Sequence, residues 1–269
     1  MNFEIVNPCL EPSHIRHALF DFDGTISLIR EGWQGIMVPM MVESLLETPE
    51  HESREELFAS VTDFIGKLTG KQSIYQMIRL CEEIRRRGGK PLSPLEYKRI
   101  YHDRLWAHIK GRVADLRSGK IQPEEMMVPG VATMLETLRN RGVTCHLASG
   151  TDEVHVRDEV SALQLSQYFH DIHGAVDDYR SYSKKMVIER ILDKNHLKGF
   201  EFITFGDGYV EIEDTKSVGG IAVGVASDEA RRKGINEWKR RRLIEAGADL
   251  IIPDFHEHDH LISYLFVED

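Results

Sequence analysis

Ala18-Leu19-Phe20-Asp21-Phe22-Asp23-Gly24-Thr25 is the stretch on which the reading of the fold turns. Ala18–Phe22 is a short apolar run with the texture of a buried strand, and it ends in acids followed at once by an Asp-Gly turn signal. The same grammar returns further on. Val143–Ala148 reads as a strand ending in Ser149-Gly150-Thr151, and Phe202–Phe205 as one ending in Gly206-Asp207-Gly208. Gly220–Ala226 and Leu250–Pro253 are two more apolar runs of strand length. Helical patterns alternate with them: Val131–Arg141, then Asp152–Leu163 with Thr151 as its candidate cap, then a helix opened by Ser183 with Val187, Ile188, Ile191 and Leu192 inward. Continuous apolar strands, each followed by a helix, predict a parallel sheet covered on both faces.

Between the first strand and about residue 127 the texture is different. Strand signals vanish and apolar residues recur at helical spacing. Ser53 and Glu56 form a capping box ahead of Leu57, Val61, Phe64, Ile65 and Leu68. Ile74, Met77, Ile78, Cys81 and Ile84 repeat the period up to Gly88-Gly89, and Ser93-Pro94-Leu95-Glu96 opens another helix. Pro39, inside an apolar stretch, predicts a kink or break. The expected fold class is α/β, a Rossmann-like doubly wound parallel sheet with an inserted α-helical cap domain. Residues 1–30 and 127–269 would form the core and 31–126 the cap.

Composition narrows the function classes. The 269 residues are 41% hydrophobic and 29% charged, enough to bury a core and too apolar for wholesale disorder. Thirty-four basic against forty-four acidic residues leave a formal net charge of −10, which argues against a nucleic-acid-coating protein. The three scattered cysteines make neither a disulfide framework nor a zinc site. No apolar run approaches the ~20 residues needed to span a bilayer, so no membrane partner is expected. The first residues lack the basic start and apolar stretch of a signal peptide, and a cytoplasmic location is expected.

In doubly wound sheets, ligands bind beyond the carboxyl ends of the strands. Those ends carry Asp21 and Asp23, Ser149 with Gly150, and Asp207 with Glu211; Lys184 and Lys185 start a helix on the same rim. One carboxylate of the first pair can attack phosphorus, and the other can protonate the leaving oxygen and then deprotonate water. A carboxylate approaching a dianionic phosphate calls for a divalent cation, and Mg2+ suits a site made of oxygens. Asp207 and Glu211 can anchor it. Gly24 lets the chain turn sharply, with its amides toward a phosphate oxygen, and Ser149 with the Gly150 amide can hold another. A lysine at the Ser183-capped start adds positive charge.

Asp21-Phe22-Asp23-Gly24-Thr25, Leu147-Ala148-Ser149-Gly150, Lys184 and Gly206-Asp207-Gly208-Tyr209-Val210-Glu211 resemble the four ordered motifs of the haloacid dehalogenase-like phosphatase superfamily. The helical insertion is similar in kind to the cap of its phosphoglycolate phosphatase and β-phosphoglucomutase branch. The resemblance implies Asp21 as nucleophile and Mg2+ ligand, and Asp23 as general acid/base with its main-chain carbonyl on the metal. It implies Ser149 and Lys184 on the phosphoryl group, with Gly24, Thr25 and Gly150 beside it, and Asp207 and Glu211 as metal ligands. Lys184 is preferred to Lys185 because Val187 and Ile188 then fall at the family's apolar offsets. The implied function is a Mg2+-dependent phosphatase of a small phosphorylated metabolite, a sugar phosphate or a phosphoglycolate-like compound, working as a monomer or homodimer. A sugar-phosphate phosphomutase and a non-catalytic phospho-ligand-binding protein are the alternatives.

Other features read more plainly. Arg30, where the chain leaves the sheet, is a candidate for pairing a substrate phosphate or carboxylate. His256, His258 and His260 alternate at a helix start, where i, i+2 residues do not share a face, and read as surface histidines. Arg231, Arg232, Lys233 and Lys239–Arg242, interleaved with apolar residues, read as the wet face of a helix packed on the sheet, not as a nucleic-acid patch.

Overall fold

A computed structural model describes residues 3–266. The chain divides into two compact units, one formed by residues up to Glu31 together with those from Val113 onward, the other by Gly32–Arg112.

The larger unit is built on a seven-stranded sheet in the order β1-β7-β6-β5-β2-β3-β4. These strands are β1 (Glu4–Ile5), β2 (His17–Phe20), β3 (Thr144–Asp152), β4 (Phe169–Ala175), β5 (Phe202–Gly206), β6 (Ile221–Val225) and β7 (Leu250–Ile252). All neighbours are parallel except the short edge pair β1–β7. Every residue of β2, β5, β6 and β7 is buried, as expected for strands covered on both faces. Leu19 and Phe20, adjacent in β2, serve opposite faces. Leu19 packs with Val187, Ile188 and Ile191 of α7 (Lys184–Asn195), while Phe20 stacks on Phe205 with ring centroids 4.7 Å apart.

The strand order reverses around β2, which is flanked by β3 on one side and β5 on the other. The carboxyl ends of these three strands mark the topological switch point of such a sheet. The helices of this unit besides α7 are α5 (Val131–Asn140), α6 (Glu153–Ala162), α8 (Tyr209–Ser217), α9 (Glu237–Glu245) and α10 (His258–Leu265).

In the smaller unit, α1 (Gln34–Leu46), α2 (Arg54–Leu68) and α3 (Ser73–Arg86) are followed by α4 (Pro94–Arg117), whose last residues belong to the larger unit. The capping box at α2 is complete: Ser53 Oγ accepts the Glu56 N–H and Glu56 Oε2 accepts the Ser53 N–H. Helix α1 runs unbroken through Pro39, so the missing N–H there does not end the helix.

Three local expectations change. β2 ends at Phe20, so Asp21 already lies beyond the strand. β3 continues to Asp152, which takes the N-cap position of α6, and Thr151 is not the cap. β4 has no counterpart among the predicted strands. It is an edge strand of alternating exposure, and register shifts interrupt its ladder to β3, so it lacks a continuous apolar run.

Candidate functional site

Asp21 follows β2 directly, and its N–H still donates to the Phe205 carbonyl of β5 at 2.9 Å. The chain then folds back, with Ile26 and Ser27 N–H groups on the Phe22 carbonyl at 2.8 and 2.9 Å. Gly24 sits in this turn at φ +77°, where a side chain would be strained and a Cβ would collide with Asp207 Oδ2. Thr25, within the same turn, is fully buried, and its hydroxyl has no hydrogen-bond partner among the described residues.

Lys184 is the first residue of α7, whose cap Ser183 accepts the Met186 N–H. Its Nζ reaches back to Asp21 Oδ1 at 2.6 Å and Glu211 Oε2 at 2.9 Å. Lys185 points the other way, exposed beside Glu189. Glu211, in the first turn of α8, is held by the Gly208 N–H on Oε1 at 2.7 Å. Gly206 makes room for it, since a Cβ there would strike Glu211 Cγ.

Carboxylate oxygens of Asp21, Asp207 and Glu211 lie within 4.8 Å of one another. Burial pushes the Asp21 carboxyl well above the usual range, and Glu211 and Asp207 push it further, against the pull of Lys184. Burial alone would lower Lys184, yet Asp21 and Glu211 hold it above the ordinary lysine value, so the ammonium stays charged. Three clustered carboxylates offering only oxygen suit a hard dication such as Mg2+, which would relieve the repulsion that raises Asp21.

Asp23 has different neighbours. Its Oδ2 accepts the Thr151 hydroxyl at 2.8 Å and the Ser149 hydroxyl at 3.4 Å. Its Oδ1 is buried, makes no hydrogen bond among the described residues, and lies 3.6 Å from Arg30 Nε. Ser149 Oγ accepts the Thr151 N–H, and the Ser149 carbonyl accepts the Tyr182 hydroxyl. Gly150 lies between Ser149 and Thr151 near the end of β3. Arg30 is buried and pairs with Glu159 of α6, Nη2 to Oε1 at 2.6 Å and Nε to the same oxygen at 3.0 Å.

Asp21, Asp23, Ser149, Lys184, Asp207 and Glu211 therefore converge at the ends of β2, β3 and β5. Other residues here escaped the sequence reading. Thr151, read as a cap, holds Asp23. Lys239, read as part of a wet face, is buried with Nζ 2.7 Å from both Asp207 Oδ2 and Glu229 Oε1. The signal available for Lys239 was Asn236, which caps α9 and starts the turn that carries it inward. The remaining basic residues follow other courses: Arg240 pairs with Glu4, and Arg242 stacks on Tyr209 and Trp238. His256, His258 and His260 meet Asp254, Asp259 and Glu257 locally and join no cation-holding group among the described residues.

A family model described as haloacid dehalogenase-like hydrolase matches residues 18–225. The chain belongs to this family. Comparison with curated protein sequences found no match. Among solved structures, this hydrolase is similar to a predicted phosphoglycolate phosphatase from Haemophilus somnus 129pt, at 18% identity and TM-score 0.60, covering 93% of this chain and 98% of that one. It is similar to β-phosphoglucomutase from Clostridium difficile, at 14% identity and TM-score 0.61, covering 92% and 96%. It also resembles CbbY from Rhodobacter sphaeroides in complex with phosphate, at 19% identity and TM-score 0.56, covering 90% and 96%. At these identities the likeness is one of fold. Among the described residues, no helix of this hydrolase is long and apolar enough to cross a membrane.

Proposed function

We propose that this haloacid dehalogenase-like hydrolase is a Mg2+-dependent phosphatase of a small phosphorylated metabolite. The observation that carries the reading is the division of labour between two neighbouring acids. Asp21 lies among carboxylates and Lys184, suited to a nucleophile beside a cation, while Asp23 is tied to hydroxyls and Arg30, suited to moving a proton.

Asp21 attacks phosphorus, its carboxylate oxygen forming the new bond as the bond to the alcohol oxygen breaks. Asp23 gives its proton to that leaving oxygen. Asp23, now a carboxylate, takes a proton from water as the water oxygen attacks the aspartyl-phosphate, releasing phosphate and restoring Asp21. Ser149, the Gly150 N–H and Lys184 hold the transferring oxygens, and Gly24 and Thr25 form the turn beneath them. Mg2+ would be held by Asp21, Asp207, Glu211 and the Asp23 carbonyl, and would supply the charge that lets an anion approach a dianionic phosphoryl group. The helical unit Gly32–Arg112 is assigned the role of the cap that selects the organic part of the substrate.

The test is release of inorganic phosphate from a panel of sugar phosphates, phosphoglycolate and p-nitrophenyl phosphate, with Asp21→Asn as blank. Wild type should release phosphate with Mg2+, stop in EDTA and recover when Mg2+ is returned. An isomerised sugar phosphate in place of free phosphate would assign a phosphomutase, and no turnover on any ester would overturn the enzymatic reading.

A further inference from the structure

Lys239 belongs to none of the motifs that define the site, yet it is built into it. Asn236 Oδ1 accepts the N–H groups of Trp238 and Lys239, starting α9 and turning Lys239 toward the sheet. The Lys239 ammonium then meets Asp207 Oδ2 and Glu229 Oε1, both at 2.7 Å, and Ser227 Oγ at 3.4 Å. Ser227 in turn donates to the Gly24 carbonyl at 2.7 Å, in the turn behind Asp23. One ammonium thus ties the segment after β5, the segment after β6 and the acid-bearing turn after β2. The Lys239 side chain is only 8% exposed, so its charge acts on Asp207 with little screening by water.

Charge balance gives the pair a direction. A buried ammonium on Asp207 competes with any dication for that carboxylate, whereas Glu229 cancels the ammonium's charge. We propose that Lys239 and Glu229 are positioning residues that set the strength of cation binding by Asp21, Asp207 and Glu211 in opposite senses, Lys239 weakening it and Glu229 strengthening it. This rests on the cation site of the proposed function. A merely structural ion pair would behave differently, because breaking it from either side would disturb Asp207 in the same sense.

The experiment is Mn2+ titration of the purified full chain without substrate, with free Mn2+ read by electron paramagnetic resonance and folding checked by circular dichroism. Lys239→Met should bind Mn2+ about tenfold more tightly and Glu229→Gln about tenfold more weakly, the order found when outer partners of metal ligands are changed. The double variant should return near wild type. Shifts of the same sign, or no shift in either variant, overturn the proposal. Should Lys239→Met fail to fold, Glu229→Gln decides alone, and unchanged affinity there overturns it. Wild type that takes up no Mn2+ overturns both this proposal and the metal-dependent reading. Wild type that binds Mn2+ with these opposite shifts but hydrolyses no ester overturns only the proposed function.

Discussion

Arg30 and Glu159, 129 residues apart, lie side by side in the interior with Nη2 2.6 Å from Oε1, and the same guanidinium faces Asp23. Their side chains are 9% and 3% exposed. Burial pushes Glu159 up and Arg30 opposes it, so the pair depends on both charges being present. Glu159→Gln would take from the buried Arg30 its closest counter-charge, leaving Asp23 at 3.6 Å. It should cost about 3–5 kcal/mol of stability, the usual loss when one member of a buried pair is removed. Urea unfolding checks this, and a loss below ~1 kcal/mol would show that the pair carries little. Replacing both residues by methionine should cost less than the single change.

The two adjacent lysines should separate sharply. Lys184→Met removes the ammonium that Asp21 and Glu211 share and should lower kcat/KM by about 10²–10³, the scale for one preorganised charge. Lys185, half exposed beside Glu189, should tolerate methionine with a change of about twofold or less. Equal losses in phosphate release would contradict the placement of Lys184.

What is legible in the sequence follows a physical rule. Asp21, Ser149 and Asp207 each follow a short apolar run, and Lys184 follows a capping serine, so local pattern alone puts them on one rim. Lys239, Glu229 and Glu159 are illegible for the opposite reason. A charged side chain is buried only where a partner is waiting, and Asp207 stands 32 positions before Lys239, Arg30 129 before Glu159. Read locally, all three belong on a solvated surface. β4 fails similarly: His170, Asp171 and His173 give it no apolar alternation, and its place comes from pairing with β3.

Thr151 is the direct test of how Asp23 is held. Thr151→Val keeps the shape and removes the donor 2.8 Å from Asp23 Oδ2, leaving Ser149 at 3.4 Å. Stability should change by about 1 kcal/mol, while kcat/KM falls about tenfold as Asp23 loses its orientation. Thr151→Ser should restore most of the rate. If valine supports the full rate, the hydroxyl does not position the acid.

Acid should act on the sheet through His17 and His146. Their rings stack with centroids 5.3 Å apart and share one hydrogen bond, Nδ1 to Nε2 at 3.0 Å, between β2 and β3. One imidazole donates and the other accepts, so protons on both facing nitrogens would break the bond, while Asp171 Oδ2, 3.6 Å from His146 Nδ1, offsets burial only in part. Burial, with the charge of His17 adding, pulls His146 down to about 4, and burial lowers His17 as well. The unfolded chain, with ordinary histidines near 6.5, therefore takes up protons that the folded chain refuses. The contribution is intact above pH ~6.5 and is lost as pH falls toward 4, about 3 kcal/mol for His146 alone. Unfolding free energies between pH 7.5 and 5 should fall steeply for wild type and more gently for the His17→Leu/His146→Leu double variant. Identical slopes would mean that the buried pair takes up protons without cost, against its burial.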